Sequence, residues 1–181
     1  MDEPTAIRRL KSGDFSGLEY LMLRYQVKAA RAAFLITRDR ARAEDAVQDV
    51  FLRIFRNPGR LDDNRPIEPY LMRSVINAAL NACRNESKVV SLEGNADALE
   101  SLIEQAASIE SDVEYSQAKR HILEALDQLP PRQRAAMVQR YYLEMSEKEM
   151  ALALDAAPGT VNWLLNSARS TLRAVLNKER I

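Results

Sequence analysis

The chain has 181 residues, 46% of them hydrophobic and 29% charged, a composition typical of a folded globular protein rather than a disordered one. One cysteine and one histidine exclude a disulfide framework, a zinc site built on two thiolates and a multi-histidine metal site, so we expect no metal or other cofactor. No apolar run approaches the ~18 residues of a membrane span, and the acidic first residues differ from a basic secretory signal, so we expect a cytoplasmic protein.

The charges are unevenly distributed, although 26 basic and 26 acidic residues cancel over the whole chain. Residues 1–85 carry 15 basic and 11 acidic side chains, residues 86–115 carry 1 and 8, and residues 116–181 carry 10 and 7. Two mildly basic blocks therefore flank an acidic strip. This pattern fits two modules that touch a polyanion and are joined by a segment that the polyanion repels. It fits equally well a solvated connector without an electrostatic role.

Apolar residues recur at helical spacing along nearly all of the chain, and no segment alternates as a β-strand does, so the sequence predicts an all-α fold. The first two helices are predicted from Leu18, Leu21, Met22 and Tyr25, and then from Ala29, Ala33 and Phe34. A third helix is predicted from near Arg42 to Phe55, and Asn57-Pro58-Gly59 ends it. Residues 60–68 are predicted to form a loop.

The third helix carries a polar face of acidic character. It is formed by Glu44, Asp45, Gln48 and Asp49, with Arg53 one turn further along. Acidic side chains do not suit DNA but suit a basic protein partner. The alternative, favoured when this face is considered alone, is a solvated surface with an Asp49–Arg53 pair that contributes about 0.3–0.5 kcal/mol.

The fourth helix, predicted over Tyr70–Asn85, is apolar around most of its circumference. Its apolar positions are Leu71, Met72, Val75, Ile76, Ala79, Leu80 and Cys83, the last expected to be a buried and inert thiol. A narrow polar stripe remains, formed by Arg73, Asn77, Asn81 and Arg84. Arginines bind phosphates and asparagine amides hydrogen-bond base edges, so this stripe is a candidate DNA-binding surface. The alternative is an ordinary solvated surface.

Residues 86–115 are small, polar and acidic, and we expect a flexible or loosely docked linker there, with a helical turn at residues 98–107. The sequence thus predicts two small helical domains, residues 1–85 and 116–181, joined by an acidic linker. It leaves open whether the domains lie apart or pack together, in which case they could bury Trp163. Helical periodicity returns at Ser116, Pro130-Pro131 breaks it, and a further helix is predicted over Arg132–Leu143.

The last part of the chain has the pattern of a helix-turn-helix. Ser146 and Glu149 predict a capping box for a short helix over Glu147–Leu154, and Pro158 opens a second helix that runs to about Asn177. The residues expected to pack inward from the second helix are Val161, Leu165, Ala168 and Leu172. Those expected to face outward, where a recognition helix meets the major groove, are Thr160, Asn162, Trp163, Asn166 and Arg169. The alternative is a plain helical hairpin.

Together these segments resemble the sigma-70 family of bacterial transcription factors, in its extracytoplasmic-function (ECF) group. Residues 43–53 (Ala-Glu-Asp-Ala-Val-Gln-Asp-Val-Phe-Leu-Arg) resemble the polymerase-binding helix, and residues 70–77 (Tyr-Leu-Met-Arg-Ser-Val-Ile-Asn) the helix that follows it. Residues 129–134 (Leu-Pro-Pro-Arg-Gln-Arg) are similar to the start of the C-terminal domain, and residues 159–161 and 167–169 match its recognition helix. The resemblance covers both domains in their order.

The resemblance implies a protein that binds core RNA polymerase and directs transcription initiation without being an enzyme. Glu44, Asp45, Gln48, Asp49 and Arg53 would contact the basic coiled-coil of the polymerase's largest subunit. The stripe on the fourth helix, with the loop over residues 57–68, would engage the promoter −10 element, and the helix-turn-helix would read the −35 element. About 30 extended linker residues reach roughly 100 Å, enough for two elements about 70 Å apart. An anti-sigma factor commonly holds such proteins inactive by covering these surfaces.

The recognition helix departs from the family pattern, which usually has basic residues where this chain has Asn162, Leu164 and Ser167. Trp163 and Leu164 are expected on or near the surface, although for Trp163 we favour packing against its own domain. The missing charges leave a second function open, a sigma-factor mimic that titrates an anti-sigma factor without driving transcription. A repressor dimer would have no use for the N-terminal domain, and His121 has no nucleophile partner that would indicate an enzyme.

Overall fold

The computed structural model describes residues 1–85 and 113–178, and every regular element within these ranges is a helix. The prediction of an all-α fold is therefore confirmed for the described residues. Most of the predicted linker, including the helical turn at residues 98–107, lies outside them. The first C-terminal helix begins at Val113, three residues before the predicted start at Ser116.

Four helices form the N-terminal part of the described chain. They are α1 (Glu3–Lys11), α2 (Ser16–Thr37), α3 (Arg40–Arg56) and α4 (Glu68–Asn85), with a 3₁₀ turn at Pro58–Arg60. α1 is not among the predicted helices, although Asp2 caps it by accepting a hydrogen bond from the Thr5 N–H at 2.9 Å. The two helices predicted between Leu18 and Phe34 are one continuous helix, because no glycine, proline or capping residue interrupts the chain there.

α1 crosses α2 at Gly17. A Cβ atom at this position would lie 2.1 Å from the carbonyl oxygen of Ala6, so only glycine lets the two backbones approach this closely. Glu3 fixes α1 to two further segments, since its carboxylate accepts hydrogen bonds from the Tyr25 hydroxyl and, at 2.6 Å, from the Ile67 N–H just before α4. The first helix thereby joins α2 to the start of α4.

Four more helices form the C-terminal part of the described chain. They are α5 (Val113–Asp127), α6 (Pro131–Met137), α7 (Glu147–Leu154) and α8 (Pro158–Lys178). The helix predicted over Arg132–Leu143 is α6 continued by a π-helical turn, Val138–Tyr142. The predicted capping box of α7 is confirmed, because the Ser146 hydroxyl accepts from the Glu149 N–H and the Glu149 carboxylate accepts from the Ser146 N–H at 2.8 Å.

The two sets of helices pack against each other. One cluster of buried apolar residues extends from α1 to α8, and Leu35 on α2 packs against Leu126 and Leu129 of the C-terminal part. Arg134 is a buried residue, only 8% exposed. Its Nε donates to the carbonyl oxygen of Ile36 at 2.8 Å. The main core therefore crosses both parts of the described chain, and a smaller cluster of Leu126, Leu129 and Ala168 lies beside it.

Candidate protein-binding and nucleic-acid interfaces

α3 separates its apolar and polar residues onto opposite sides. Val47, Val50, Phe51 and Ile54 are buried, which turns Asp45, Gln48 and Asp49 to solvent, with Glu44 half-buried. We call Glu44, Asp45, Gln48 and Asp49 the acidic face. The carboxylate of Glu44 pairs with Arg40, whose Nε lies 2.6 Å from Glu44 Oε1. The other two carboxylates of the face, on Asp45 and Asp49, are exposed to solvent.

The neighbouring residues change one detail of the predicted surface. Arg53 is exposed and donates from Nε to the backbone carbonyl of Asp49 at 3.3 Å, so the expected side-chain pair between them is replaced by a bond to the backbone. Leu52 lies one turn beyond Gln48 and Asp49 and is 46% exposed. Leu52 is not among the predicted binding residues, although its spacing from Gln48 places it on the same side of the helix.

α4 buries seven apolar residues as the sequence predicts: Leu71, Met72, Val75, Ile76, Ala79, Leu80 and Cys83. The four residues on the remaining side are all exposed, and we call Arg73, Asn77, Asn81 and Arg84 the α4 stripe. The loop before α4 is anchored to α1, because Lys11 Nζ lies 2.9 Å from Asp63 Oδ1. The hydrogen bond from Lys11 is the main cause that lowers the pKa of the Asp63 carboxyl.

A cleft of about 460 Å³ opens beside the first turn of α4. On the α4 side it is lined by Tyr70, Met72 and Arg73, and on the other side by Leu143 and Leu152 of the C-terminal part. Arg73 therefore belongs both to the α4 stripe and to the wall of an apolar cleft. A molecule seated in the cleft would lie against one end of the stripe.

α8 shows the predicted alternation of faces, with two corrections. Leu164, expected on or near the surface, is only 4% exposed, because it lies three residues after Val161 and four before Ala168, both of them buried. Trp163 does not pack into its own domain and is not buried between the two halves, since it is 62% exposed. It points outward with Thr160, Asn162 and Asn166.

Arg169 is the basic member of the outward set, and it is half-buried. Its Nε donates to the hydroxyl oxygen of Tyr141 at 2.9 Å, and its guanidinium carbon lies 5.8 Å from the centre of the Tyr141 ring. Its Nη1 lies 3.4 Å from Asn166 Oδ1. Tyr141, which the sequence analysis did not select, thus holds the Arg169 side chain in place. We call Thr160, Asn162, Trp163, Asn166 and Arg169, together with Tyr141, the α8 face.

The side chains at residues 129–134 hold the helices of the helix-turn-helix together and do not form part of its outer surface. Gln133 Nε2 donates to Ser167 Oγ at 3.0 Å and so joins α6 to α8. Arg132 Nη2 donates to the carbonyl of Leu154 at 3.2 Å, at the C-terminal end of α7, where a cation is favourable. Asp155, at φ 47°, then makes the left-handed turn between the two helices, a conformation that aspartate tolerates.

The described residues contain no group of three His, Cys, Asp or Glu side chains that could hold a metal ion. His121 is exposed, and Cys83 is buried with its thiol donating to the Ile36 carbonyl at 3.7 Å. Among the helices of the described ranges, none is long and apolar enough to cross a membrane.

Comparison with known protein families supports the resemblance to sigma factors. The family model "Sigma-70 region 2" matches residues 21–89, and "Sigma-70, region 4" matches residues 119–172. The ECF RNA polymerase sigma factor SigL of Mycobacterium tuberculosis is 31% identical over 82% of this chain and 82% of its own. The RNA polymerase sigma factor CarQ of Myxococcus xanthus is 27% identical over 95% of this chain and 96% of its own.

Two solved structures share the fold. CnrH in complex with the cytosolic domain of CnrY has a TM-score of 0.67 at 22% identity and covers 97% of both chains. The sigma factor RpoE of Bartonella quintana, in complex with the anti-sigma factor NepR, has a TM-score of 0.60 at 18% identity and covers 88% of this chain and 97% of its own. The chain belongs to the sigma-70 family of RNA polymerase sigma factors, in the ECF group.

Proposed function

We propose that this chain directs promoter-specific transcription initiation by binding core RNA polymerase and promoter DNA, without catalysing a reaction itself. The acidic face carries the proposal. Its polar side chains lie along one side of α3, while the buried opposite side holds the helix in place. Such a surface suits a basic region of the polymerase, because complementary charge steers the encounter and fixes the register. Polymerase and DNA are cytoplasmic, so the proposal places this protein there.

The α4 stripe and the α8 face are the proposed DNA contacts. The stripe combines two arginines, which suit phosphates, with two asparagines, which suit base edges, and all four side chains are exposed. We assign it to the −10 element with the loop over residues 57–68. We assign the α8 face to the −35 element, where an arginine can bond a guanine and an asparagine can bond an adenine.

The positions of the unusual residues on α8 favour promoter binding over the mimic. Leu164 is buried, and Ser167 accepts a hydrogen bond from Gln133, so both are turned toward the protein. Basic side chains there would not reach DNA from the outward face. Asn162 remains as an exposed departure from the family pattern.

We also propose a protein inhibitor as partner. Bartonella quintana RpoE was solved with the anti-sigma factor NepR, and it shares the fold of this chain. The cleft beside α4 supports this partner, because it offers the apolar side chains of Met72, Leu143 and Leu152 next to Arg73. A partner segment with apolar side chains in this cleft would cover the end of the α4 stripe.

The acidic face is tested by co-elution of the purified chain with core polymerase. We expect the double variant Asp45→Ala/Gln48→Ala to lose co-elution. The matched control is Glu124→Ala/Gln128→Ala, which removes one carboxylate from α5 and one amide from the residue that follows this helix, both at exposed positions. Co-elution of Asp45→Ala/Gln48→Ala at the wild-type level would remove the acidic face from the proposal.

The DNA contacts are tested by in vitro transcription from a promoter library. We expect Arg169→Ala to bind polymerase normally and to weaken promoter binding. If Arg169 contacts a phosphate, the slope of log K against log salt falls by about 0.9; if it reads a base, discrimination at one position is lost. Polymerase binding by the wild-type chain without any promoter selection would support the sigma-factor mimic instead.

A further inference from the structure

The C-terminal end of α2 is the point where the C-terminal helices dock. The carbonyl of Ile36 belongs to the last turn of α2, where carbonyl oxygens lack partners within the helix and carry a partial negative charge. Arg134 fills this position with its guanidinium, which bonds the Ile36 carbonyl at 2.8 Å and the Leu129 carbonyl at 3.2 Å. One buried cation therefore bonds backbone from both parts of the chain.

A second polar contact lies two residues further along the chain. Arg38 is the C-cap of α2, at φ 58°, and its guanidinium forms an ion pair with Asp127 at the end of α5. The Arg38 side chain is 16% exposed and also lies over the Phe34 ring, 5.0 Å from its centre. Partial burial reduces the solvent screening that weakens exposed ion pairs.

The packed arrangement is too small to reach two promoter elements at once. A compact chain of this length has a radius of gyration of about 16 Å, which corresponds to a diameter of about 40 Å. Two DNA elements separated by two helical turns are about 70 Å apart. The α4 stripe and the α8 face cannot both meet their elements while α2 and α6 remain in contact.

We propose that the Ile36–Arg134 and Arg38–Asp127 contacts form an interdomain latch that inhibits the free protein. The closed form must open before both DNA surfaces are engaged, so the closed fraction lowers the apparent affinity for a promoter that carries both elements. The consequence for transcription rests on the function proposed above. The latch itself does not.

The ion pair is the part of the latch that can be tested without disturbing a helix interior. Asp127→Arg places two like charges at the end of α2, and we expect it to raise the ratio of open to closed molecules about tenfold. Small-angle X-ray scattering of the full chain should then show a radius of gyration larger by about 5–10 Å. Arg38→Asp/Asp127→Arg exchanges the charges and should restore the wild-type value.

Glu124→Arg is the matched control, because it makes the same change of charge one turn earlier on α5, at an exposed position. An equal radius for Asp127→Arg and Glu124→Arg would overturn the latch, and so would an expanded charge-exchanged variant. Far-UV circular dichroism at the wild-type level keeps an unfolded variant from being read as an open one.

The inhibitory role has its own measurement, the apparent affinity of the purified chain for a DNA fragment that carries both promoter elements. We expect Asp127→Arg to bind this DNA about tenfold more tightly than wild type, and the charge-exchanged variant to return to the wild-type affinity. An expanded Asp127→Arg with an unchanged affinity would overturn the inhibition. If the wild-type chain binds no polymerase, the proposed function fails, while scattering still decides whether the latch exists.

Discussion

The N-terminal and C-terminal helices are held together by different means. In α1–α4, helices cross closely, as α1 and α2 do at Gly17, and a half-buried network around Glu3 joins three segments. In the C-terminal part, the short helices α6 and α7 are held at their ends by the capping box at Ser146, the left-handed turn at Asp155 and the Arg132 bond to the end of α7. Both regions bury apolar residues, but the second depends in addition on polar contacts at helix termini and on contact with α2.

This difference suits the two kinds of surface. The acidic face and the α4 stripe lie on helices fixed along their length by a shared core, so their side chains are displayed on a rigid support. The α8 face includes the half-buried Arg169, which the exposed side chain of Tyr141 holds in place. We expect changes in the interior of α1–α4 to affect the whole molecule, and changes at helix ends or on the surface of α6–α8 to remain local.

Gly17→Ala should have the largest effect. Its Cβ atom would meet the Ala6 carbonyl, so α1 must shift, and we expect a loss of about 3 kcal/mol in unfolding free energy. Urea denaturation measures this, and hydrogen exchange should show faster exchange in both regions. Gly59→Ala is the control, since a Cβ there meets nothing within 4 Å. Faster exchange in α1–α4 alone would show that the two regions are less dependent on each other than we propose.

Tyr25→Phe should have the second largest effect on stability. It removes the hydrogen bond to the Glu3 carboxylate, for which we expect a loss of about 2 kcal/mol at pH 7. Burial, with the hydrogen bond to Glu3, raises the pKa of Tyr25 to about 12. The neutral phenol is therefore favoured in the folded state. The neutral phenol therefore stabilises the folded protein fully below about pH 10, the ordinary pKa of tyrosine. This stabilisation is lost as the pH rises toward 12.

The pH dependence of the unfolding free energy distinguishes the contribution of Tyr25 from that of other titrating groups. The difference in unfolding free energy between wild type and Tyr25→Phe should be largest at pH 8 and smaller at pH 11. The remaining tyrosines titrate in both proteins and cancel in the difference. A difference that stays constant over this range would exclude the raised pKa as a source of stability.

Ser146→Ala should have a smaller and local effect. It removes the cap of α7, and we expect a loss of about 1 kcal/mol with exchange accelerated in α7 and α8 only. Hydrogen bonds from the Ser146 side chain and backbone lower the pKa of Glu149. The stability from this carboxylate is present above its ordinary pKa near 4.5 and is lost as the pH falls, and this loss should be reduced in Ser146→Ala. Accelerated exchange in α2 would contradict the local effect.

Tyr141→Phe should be the mildest change, since it keeps the ring beside Arg169 and removes the hydroxyl bond. We expect a change of a few tenths of a kcal/mol in stability and a measurable loss of −35 discrimination. Polymerase binding should be unchanged. The double variant Tyr141→Phe/Arg169→Ala should bind the promoter no more weakly than Arg169→Ala, and additive losses would show that Tyr141 acts independently of Arg169.

The sequence predicts the buried residues correctly wherever a helix buries one continuous face. All seven apolar residues of α4 and the capping box of α7 follow from spacing alone. The same rule would have placed Leu164 in the core, because it lies in register with Val161 and Ala168. α1 also carries readable signals, with Asp2 as its cap and buried residues at Ile7 and Leu10.

The contacts between distant segments could not be predicted in this way. Arg169 lies 28 residues from Tyr141, and Arg134 lies 98 residues from Ile36, so neither pair has a periodic signature. The exposure of Trp163 also depends on how α8 packs against the other helices, and local hydrophobicity favoured the wrong outcome. Partners across a tertiary contact are fixed by geometry that single-sequence spacing does not contain.

Cys83 offers a native reporter for separation of the two halves. Its thiol shares the Ile36 carbonyl with the Arg134 guanidinium, so it lies directly beside the junction. It is also the sole cysteine of the chain, so a thiol-specific reagent can modify only this residue. The rate at which a small disulfide reagent modifies Cys83 should therefore follow the opening of the wild-type protein in real time, without a label or an engineered residue.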